Sequence, residues 1–428
     1  MTRDSSLTRR RFLLAAGATA AVAGCSGTTP FSEEPPERIS LHQLPEVPED
    51  SEPVVVDDLP VDIESEKLRR ARTRVTDLLE TVPMPFGPEA VPNGYVRGEL
   101  VEAAENATGH IDRARSSSTR LSALRSLHHA RTEARYAAEG WAFVERDRTE
   151  EELRAERRET VTEGREFRSA YEYLGDDPVR AVVVHAAVNR NLRRVLDARR
   201  HSLSRDSGPL LSVAEWGEAA ESVRTDLGDG RYLYERFSDS LPSDIGTIEP
   251  TLNAAADSLT AELERRRDEL PSEPTDSDGE LAGRIRSRLR SRADSGARNV
   301  SDAGGPARTV LAATETLTDF LAYDRIDSRI KDGERFAAET GEDVRAARSG
   351  AIEAIQRALA ESVRPTLVRG ILADAARQVS YADTELSRYR RSVRPSRLND
   401  SLRRYAAATA RARSIPTVCQ QVVETLEA

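Results

Sequence analysis

The chain has 428 residues, with 63 basic and 73 acidic side chains and a formal net charge of −10. An acidic chain repels the phosphate backbone of nucleic acids, so binding to DNA or RNA is disfavoured. The length allows two or three domains, or one large helical array. All basic residues except Lys67 and Lys331 are arginine, and two cysteines, Cys25 and Cys419, are too few for a disulfide framework.

The N-terminus has the three parts of a secretory signal: a positive start, a short apolar segment and small residues before a cleavage point. The apolar run from Phe12 to Ala23 is about half the ~20 residues that a transmembrane helix needs. Thr8-Arg9-Arg10-Arg11-Phe12-Leu13 resembles the twin-arginine export signal, in which Arg9 and Arg10 are the pair. The resemblance implies that the protein crosses the membrane already folded.

The segment Val22-Ala23-Gly24-Cys25 resembles a lipobox, the motif in which the leader is cut and the cysteine carries lipid. The resemblance implies removal of residues 1–24 and a mature protein held on the outer face of the cell membrane by lipid on Cys25. The alternative is a soluble N-terminal helix. One acyl chain binds a membrane only marginally, so stable anchoring requires a two-chain lipid or a second contact.

The acidic, lysine-poor composition and the export signal together resemble those of proteins secreted by salt-loving archaea. At molar salt the Debye length is about 3 Å, which screens the self-repulsion of an acidic surface. A genome rich in G and C also favours arginine codons, but that alternative leaves the acidity unexplained.

Residues 25–61 predict a lipidated cysteine followed by a disordered tether. Prolines recur among acidic residues in this segment, and no helical period is present. A polyproline-like chain of this length extends on the order of 100 Å. As an alternative, Val54-Val55-Val56 docks on the body as a strand or a peptide.

From residue 62 onward apolar residues recur with helical spacing, and no alternating run is long enough for a sheet. The sequence therefore predicts an all-α fold of antiparallel helical bundles joined by short connections. An N-terminal bundle is predicted at 62–206 and a C-terminal bundle at 207–428, either separate from the first or continuous with it. The core is expected to rely on alanine, leucine and valine, because aromatic residues make up only 5% of the chain.

Local signals mark where helices begin. Thr149 precedes an acidic turn, and Asp177-Pro178 supplies an N-cap and a first-turn proline. Ser212-Val213-Ala214-Glu215 is a capping-box pattern that predicts another helix start. In the second half, helices are predicted at 249–270, 280–296, 307–331, 341–361, 366–390 and 395–413, followed by a short last helix.

The sequence contains no phosphate-binding glycine loop, nucleophile elbow, paired-cysteine site or Glu-x-x-His pair. No catalytic residue and no cofactor are therefore predicted. His128, His129 and Glu133 are weak candidates for a metal site, because His129 and Glu133 are four residues apart on a helix; an ordinary surface pair is the favoured interpretation. His185 lies on an apolar stripe and is predicted to be buried and bonded to Asn189, with a pH-sensitive or ligand-binding role as the alternative.

Arginines are dense in two stretches of the second half, one around 284–292 and one at 388–404. Arg284, Arg288 and Arg292 share a helical face and are candidate contacts for an anionic partner, such as lipid headgroups or a polysaccharide. Neutralisation by neighbouring acidic helices is the favoured alternative. Three glycosylation sequons, which an external location permits, begin at Asn106, Asn299 and Asn399.

Two functions of different class are compatible with these patterns. The favoured one is a non-catalytic cell-surface lipoprotein whose helical body binds a partner protein, an envelope component or a solute. It predicts an exposed apolar or arginine-lined groove. The alternative is a helical metal-binding protein or enzyme centred on His128, His129 and Glu133, or on His185.

Overall fold

The structure is a computed structural model that describes residues 38–47, 53–197, 208–272, 281–334 and 336–428. Within these ranges the chain forms twelve α-helices and no β-strand, with only isolated β-bridges. The predicted all-α fold is confirmed. The leader, with Arg9, Arg10 and Cys25, lies outside the described residues.

The N-terminal half is organised around its third helix, which packs against the first, second and sixth. Much of that packing is between alanines, which allow close helix contacts. The six helices of this half are α1 (Ser65–Glu80), α2 (Gly94–Ser116), α3 (Arg120–Arg146), α4 (Glu150–Ser169), α5 (Pro178–Asp197) and α6 (Gly208–Asp239).

The C-terminal half contains the largest core cluster of the described residues, and its ninth and twelfth helices pack against each other and against most of their neighbours. Tyr405 and Leu317 are fully buried there. The six helices are α7 (Glu249–Asp268), α8 (Leu281–Asn299), α9 (Pro306–Lys331), α10 (Gly341–Ala360), α11 (Pro365–Ser387) and α12 (Asn399–Glu427).

Helix α5 is shared by the two halves. Buried residues occupy the whole circumference of its first three turns instead of one stripe, which is typical of a buried helix segment. Ala181, Val184 and Val188 pack with Leu233 and Phe237 of the N-terminal half. The residues of α5 that join the core of the C-terminal half are Val179, Val182, Val183 and Ala186.

Two predicted helix starts are confirmed. Thr149 and Glu152 form a reciprocal capping box at α4. Asp177 accepts a 2.8 Å hydrogen bond from the backbone N–H of Arg180 in the first turn of α5, just after Pro178. Both caps satisfy N–H groups that the helix itself leaves without partners.

The predicted helix start at Ser212 is wrong, because α6 begins four residues earlier, at Gly208. Pro209 is compatible with a first helical turn, since that turn does not need its N–H group. The Ser212 hydroxyl donates a 2.6 Å hydrogen bond to Glu150 of α4 instead of capping its own helix. Its side chain joins two helices.

The break predicted near residue 413 is also wrong, because α12 continues through Pro416 to Glu427. A proline inside a helix removes one backbone hydrogen bond, here the one to the carbonyl of Ala412. Ile415 and Val418 on either side of the proline are completely buried. Burial of both arms of the helix therefore outweighs the local cost of the proline.

Part of the segment predicted to be a disordered tether packs against the helical body. Ile39 exchanges two 2.9 Å backbone hydrogen bonds with Val393, between α11 and α12. Val55 is buried, as the docking alternative for Val54-Val55-Val56 requires, and Asp57 forms a 2.7 Å ion pair with Arg125 of α3. Apolar side chains of this non-helical segment are thus buried against the helices.

The lengths and sequences of the helices also bear on membrane insertion. In the ranges that the structure describes, no helix is both long enough and apolar enough to span a bilayer.

Two glycines of α6 provide a test of the close helix packing. A Cβ atom at Gly217 would lie 2.5 Å from Cγ and 2.7 Å from Cβ of Glu139 on α3, whereas a Cβ atom at Gly228 would have no neighbour within 4 Å. Gly217→Ala should lower the free energy of unfolding by about 1–3 kcal/mol through overpacking. Gly228→Ala should raise it by about 0.5–1 kcal/mol, because alanine favours a helix. Chemical denaturation of both variants measures this, and equal effects would contradict the packing of α3 on α6.

Candidate functional site

A cavity of about 330 Å³ lies where α3, α5 and α6 meet beside residues 53–62, and we name it the central cavity. Its size is at the lower end of the range for ligand pockets. Its apolar wall comprises Leu59, Leu121, Leu124, Ala187 and Leu233. Its polar wall comprises Arg125, His128, His129, Arg190, Asn191, Arg194, Ser222, Asp226 and Asp229.

The cavity lies where the composition of α5 changes. The first three turns of the helix are almost entirely valine and alanine and are buried between the two halves. Ala187, Arg190, Asn191 and Arg194 then follow with the three- and four-residue spacing that places side chains on one helical face. That face forms one wall of the central cavity.

Arg190 lines the cavity and forms no ion pair within the described ranges. It also forms no hydrogen bond with any residue in them. Burial, followed by the nearby guanidinium of Arg125, lowers the pKa of Arg190 to about 10; Arg308 acts in the same direction, and the carboxylates of Asp57 and Glu315 oppose them without forming an ion pair with Arg190. At neutral pH Arg190 therefore remains a charged group in a partly desolvated site.

The other charges of the cavity are paired. Arg125 contacts Asp57 at 2.7 Å, and Arg194 contacts Asp226 at 3.4 Å. Lys67 of α1 contacts Asp229 at 2.8 Å. The charge of Arg190 is therefore not balanced by these pairs.

Two aspartates of α6 line the cavity and have raised pKa values. Burial raises the pKa of Asp226 to about 7, although the charge of Arg194 works in the opposite direction. Burial likewise raises the pKa of Asp229, against the effect of Lys67. Near neutral pH Asp226 accordingly exists in both protonation states, so the net charge of the cavity changes in this range.

Of the candidate metal residues, His128 and His129 line the cavity and Glu133 does not. His128 approaches Asp226 at 3.9 Å, and burial lowers its pKa to about 3. His129 stacks on His110 of α2 with ring centroids 5.3 Å apart, while Glu133 is turned toward Asn106. No group of three or more His, Cys, Asp or Glu side chains that could hold a metal ion occurs in the described part of the chain.

His185 is completely buried, as predicted, but its predicted bond to Asn189 is wrong. Nε2 of His185 lies 2.7 Å from the carbonyl oxygen of Leu174, and Nδ1 contacts the hydroxyl of Tyr171. Asn189 instead donates a 2.8 Å hydrogen bond to the hydroxyl of Tyr173. Two tyrosines just before α5 supply the partners, and periodicity within α5 alone does not reveal them. Burial lowers the pKa of His185 to about 4, which keeps the ring neutral at neutral pH.

The predicted anion contacts on α8 do not form one free surface. Arg284 and Arg288 are exposed, but Arg292 contacts Asp319 of α9 at 3.1 Å and Asp374 of α11 at 3.3 Å. The buried Arg411 of α12 binds the same two aspartates. Arg292 therefore belongs to an ion network that joins four helices.

The three sequons lie at different places on helices. Asn106 is on α2, Asn299 is the last residue of α8, where it donates a 2.8 Å hydrogen bond to the carbonyl of Ser295, and Asn399 is the first residue of α12. Asn106 and Asn299 are exposed, and Asn399 is partly buried.

Sequence analysis missed Arg125, Arg190 and Asp226. A signal was present for Arg190, because it is the first charged residue after nine consecutive buried positions of α5. Arg190 is a candidate ligand contact because no carboxylate of the described residues forms an ion pair with it, and that fact depends on the tertiary structure. The sequence alone cannot supply it.

Comparison with known families divides the chain into two segments. Residues 66–244 match a family described as a domain of unknown function, DUF8262, and residues 249–424 match a second one, DUF8264. No curated protein and no solved structure matches the chain. The two matched segments meet between α6 and α7, whereas sequence analysis places the boundary at 206–207, between α5 and α6. Since α6 packs against α3, α4 and α5, the family boundary keeps these neighbours together.

The protonation of Asp226 gives a testable pH dependence. Because the folded state raises its pKa from 3.8 to about 7, the folded protein binds the proton more tightly, and Asp226 lowers stability progressively as the pH rises through this window. Asp226→Asn mimics the protonated acid, so its stability relative to wild type should improve by on the order of 2–4 kcal/mol between about pH 4 and pH 8.

Thermal or chemical denaturation across this pH range measures the difference. Asp197→Asn, which removes an exposed carboxylate paired with Arg193, is the matched control and should show little pH dependence. A stability difference for Asp226→Asn that does not change with pH would contradict the raised pKa.

Proposed function

We propose that this protein is a lipid-anchored cell-surface protein that binds a small organic anion in the central cavity, without catalysing a reaction. The anion carries a carboxylate or phosphate group on a compact apolar body. The proposal makes the general hypothesis of a solute-binding surface lipoprotein more specific, and it moves the anion contact from α8 to α5.

The observation that carries the proposal is the guanidinium of Arg190 in the cavity wall, which has no ion-pair partner among the residues that the structure describes. A desolvated charge without a partner is costly, and an anion that enters the cavity removes that cost. Arginine also presents two parallel donors that match carboxylate and phosphate oxygens. Asn191 and Ser222, which line the same cavity, add polar groups that can orient a ligand.

The apolar wall supports an organic ligand over a simple ion. Leu121, Leu124 and Leu233 face the same space as Arg190. Ligand sites typically combine such an apolar surface with a few polar groups that fix orientation. The paired charges around the cavity discourage a ligand with several separate charges, because their partners are already in place.

The proposed location on the outer face of the membrane is based on the N-terminal leader. The twin-arginine pattern at Arg9 and Arg10 and the lipobox ending at Cys25 support export and lipid attachment. An external anchor places a binding cavity where it meets solutes before they cross the membrane.

Anion binding is tested with the mature protein in molar KCl, using benzoate, succinate and inorganic phosphate as probes. Benzoate, which has one carboxylate on an apolar body, should raise the melting temperature of the wild type more than succinate or phosphate does, because ligand that binds only the folded state stabilises it. Arg190→Gln should weaken that binding about tenfold or more, because a charge-assisted hydrogen bond is lost. The same variant should melt at a higher temperature than wild type without ligand, since an unpaired buried charge has been removed.

Arg193→Gln is the matched control for this experiment. It removes the same charge from the same helix, but Arg193 is exposed and pairs with Asp197 at 3.1 Å. This variant should keep the wild-type response to every probe. Failure of all three probes with the wild type, or an unchanged response of Arg190→Gln, would overturn the proposal.

The location is tested by mass spectrometry of protein from the native membrane. The expected mature chain begins at Cys25 and carries a lipid mass on that residue. Cys25→Ser should release the protein from the membrane fraction, because the covalent anchor is lost. Retention of Met1, or an unmodified thiol at position 25, would contradict lipid anchoring while leaving the anion-binding test intact.

A further inference from the structure

A second arginine without a partner lies on α4, far along the chain from the residues of the central cavity. Arg157 is nine-tenths buried, with 9% of its surface exposed, and its Nε atom has no hydrogen-bond partner among the described residues. It forms no ion pair with any carboxylate in those ranges. Burial alone accounts for the lowering of the pKa of Arg157. The described fold supplies no ion pair that would offset the energetic cost of burying this charge.

Arg157 faces a trough of about 490 Å³ on the surface of α4 and α6, which we name the α4 trough. Its guanidinium lies 5.3 Å from the ring centre of Trp216, and that of Arg154 lies 4.7 Å from the same ring. Val161 adds an aliphatic surface, and Arg158 and Arg165 line the rest of the trough.

The charges of the trough are only partly neutralised. Arg154 pairs with Glu150 at 2.7 Å, and Arg158 pairs with Glu151 at 2.6 Å. Arg165, like Arg157, has no ion pair in the part of the chain that the structure describes. Two of the four guanidinium groups are therefore available to an anion, although the chain as a whole is acidic.

The chemistry of the trough selects a phosphate ester with an apolar part. Guanidinium groups bind phosphate oxygens through two parallel N–H donors. The indole ring holds Arg154 and Arg157 in place by cation–π contact and adds a large amphipathic surface. Arginine with tryptophan is also the combination that proteins place at the headgroup level of a membrane.

We propose that the α4 trough binds the phosphate of a lipid headgroup and so gives the protein a contact with the membrane besides the covalent anchor. The phosphate chemistry follows from the trough itself, and only the choice of a lipid as its source rests on the external, membrane-anchored location proposed above. Stable membrane binding requires more than one acyl chain. Lipid on Cys25 together with a headgroup site on α4 would satisfy this requirement.

The test uses the full chain carrying Cys25→Ser, so that no attached lipid inserts by itself. The protein is mixed with vesicles of phosphatidylglycerol and phosphatidylcholine, or of phosphatidylcholine alone, and the bound fraction is measured by sedimentation. Molar KCl screens long-range attraction between charges and leaves direct contacts. Binding to the anionic vesicles should exceed binding to the neutral ones, and Arg157→Gln should weaken it about tenfold.

Arg165→Gln gives a second variant, at an exposed position where folding is not at risk, and it should also weaken binding to the anionic vesicles. Arg69→Gln is the matched control, because it removes one exposed arginine on α1 whose ion pair within the described residues is with Glu66 of the same helix. This control should bind like wild type. Equal binding of wild type, Arg157→Gln and Arg165→Gln would overturn the proposal.

Trp216 provides a local signal for the same event. With Trp141→Phe in place, the remaining indole fluorescence comes from the trough. Anionic vesicles should shift or quench it, and Arg157→Gln should reduce that change. If soluble glycerol phosphate changes the fluorescence and vesicles do not, the membrane as the source of the phosphate is refuted. If neither probe changes it, the site itself is refuted.

Discussion

The fold depends on the burial of α5. Most described helices have one buried face and one solvent-exposed face. The first three turns of α5 are buried on all sides, and their residues contribute to the cores of both halves. Helix α5 therefore covers part of the core of each half. The same helix carries Arg190 at its far end, so the element that unites the halves also positions the central cavity. At Gly230, α6 approaches α5 so closely that a Cβ atom would lie 3.3 Å from Asn191, which holds the cavity wall in place.

The arginines of this acidic chain fall into two physical classes. Arg411 is almost completely buried and is bound by Asp319 and Asp374, so its charge is compensated and joins α9, α11 and α12. Arg190 and Arg157 are desolvated to a large extent and have no described counter-ion. Arginines of the first class hold neighbouring helices together through ion pairs. The charges of the second class are desolvated without an ion pair in the described part of the chain, and both proposed anion sites contain one of them.

The sequence predicted the structure correctly where the interacting residues all lie on one helix. Apolar spacing predicted most helices to within a few residues, and side chains that cap their own helix identified Thr149 and Asp177. It failed where a distant residue decides the outcome. Ser212 bonds to α4 instead of capping, burial on both sides carries α12 through Pro416, and His185 is satisfied by Tyr171 and Leu174 instead of Asn189. The central cavity belongs to this second group, because an arginine without a partner is identified only when all its neighbours are known.

The backbone pairing of Ile39 with Val393 has a mechanical consequence. Residues 53–62 supply Leu59 and Asp57 to the surroundings of the central cavity, and they lie on the body side of that pairing. A force applied to the N-terminal end of the chain would act first on these two hydrogen bonds and on the buried Ile39 side chain. The pairing therefore carries a force applied at the N-terminal end before residues 53–62 do, and the cavity wall bears that force only after the two backbone hydrogen bonds to Val393 break.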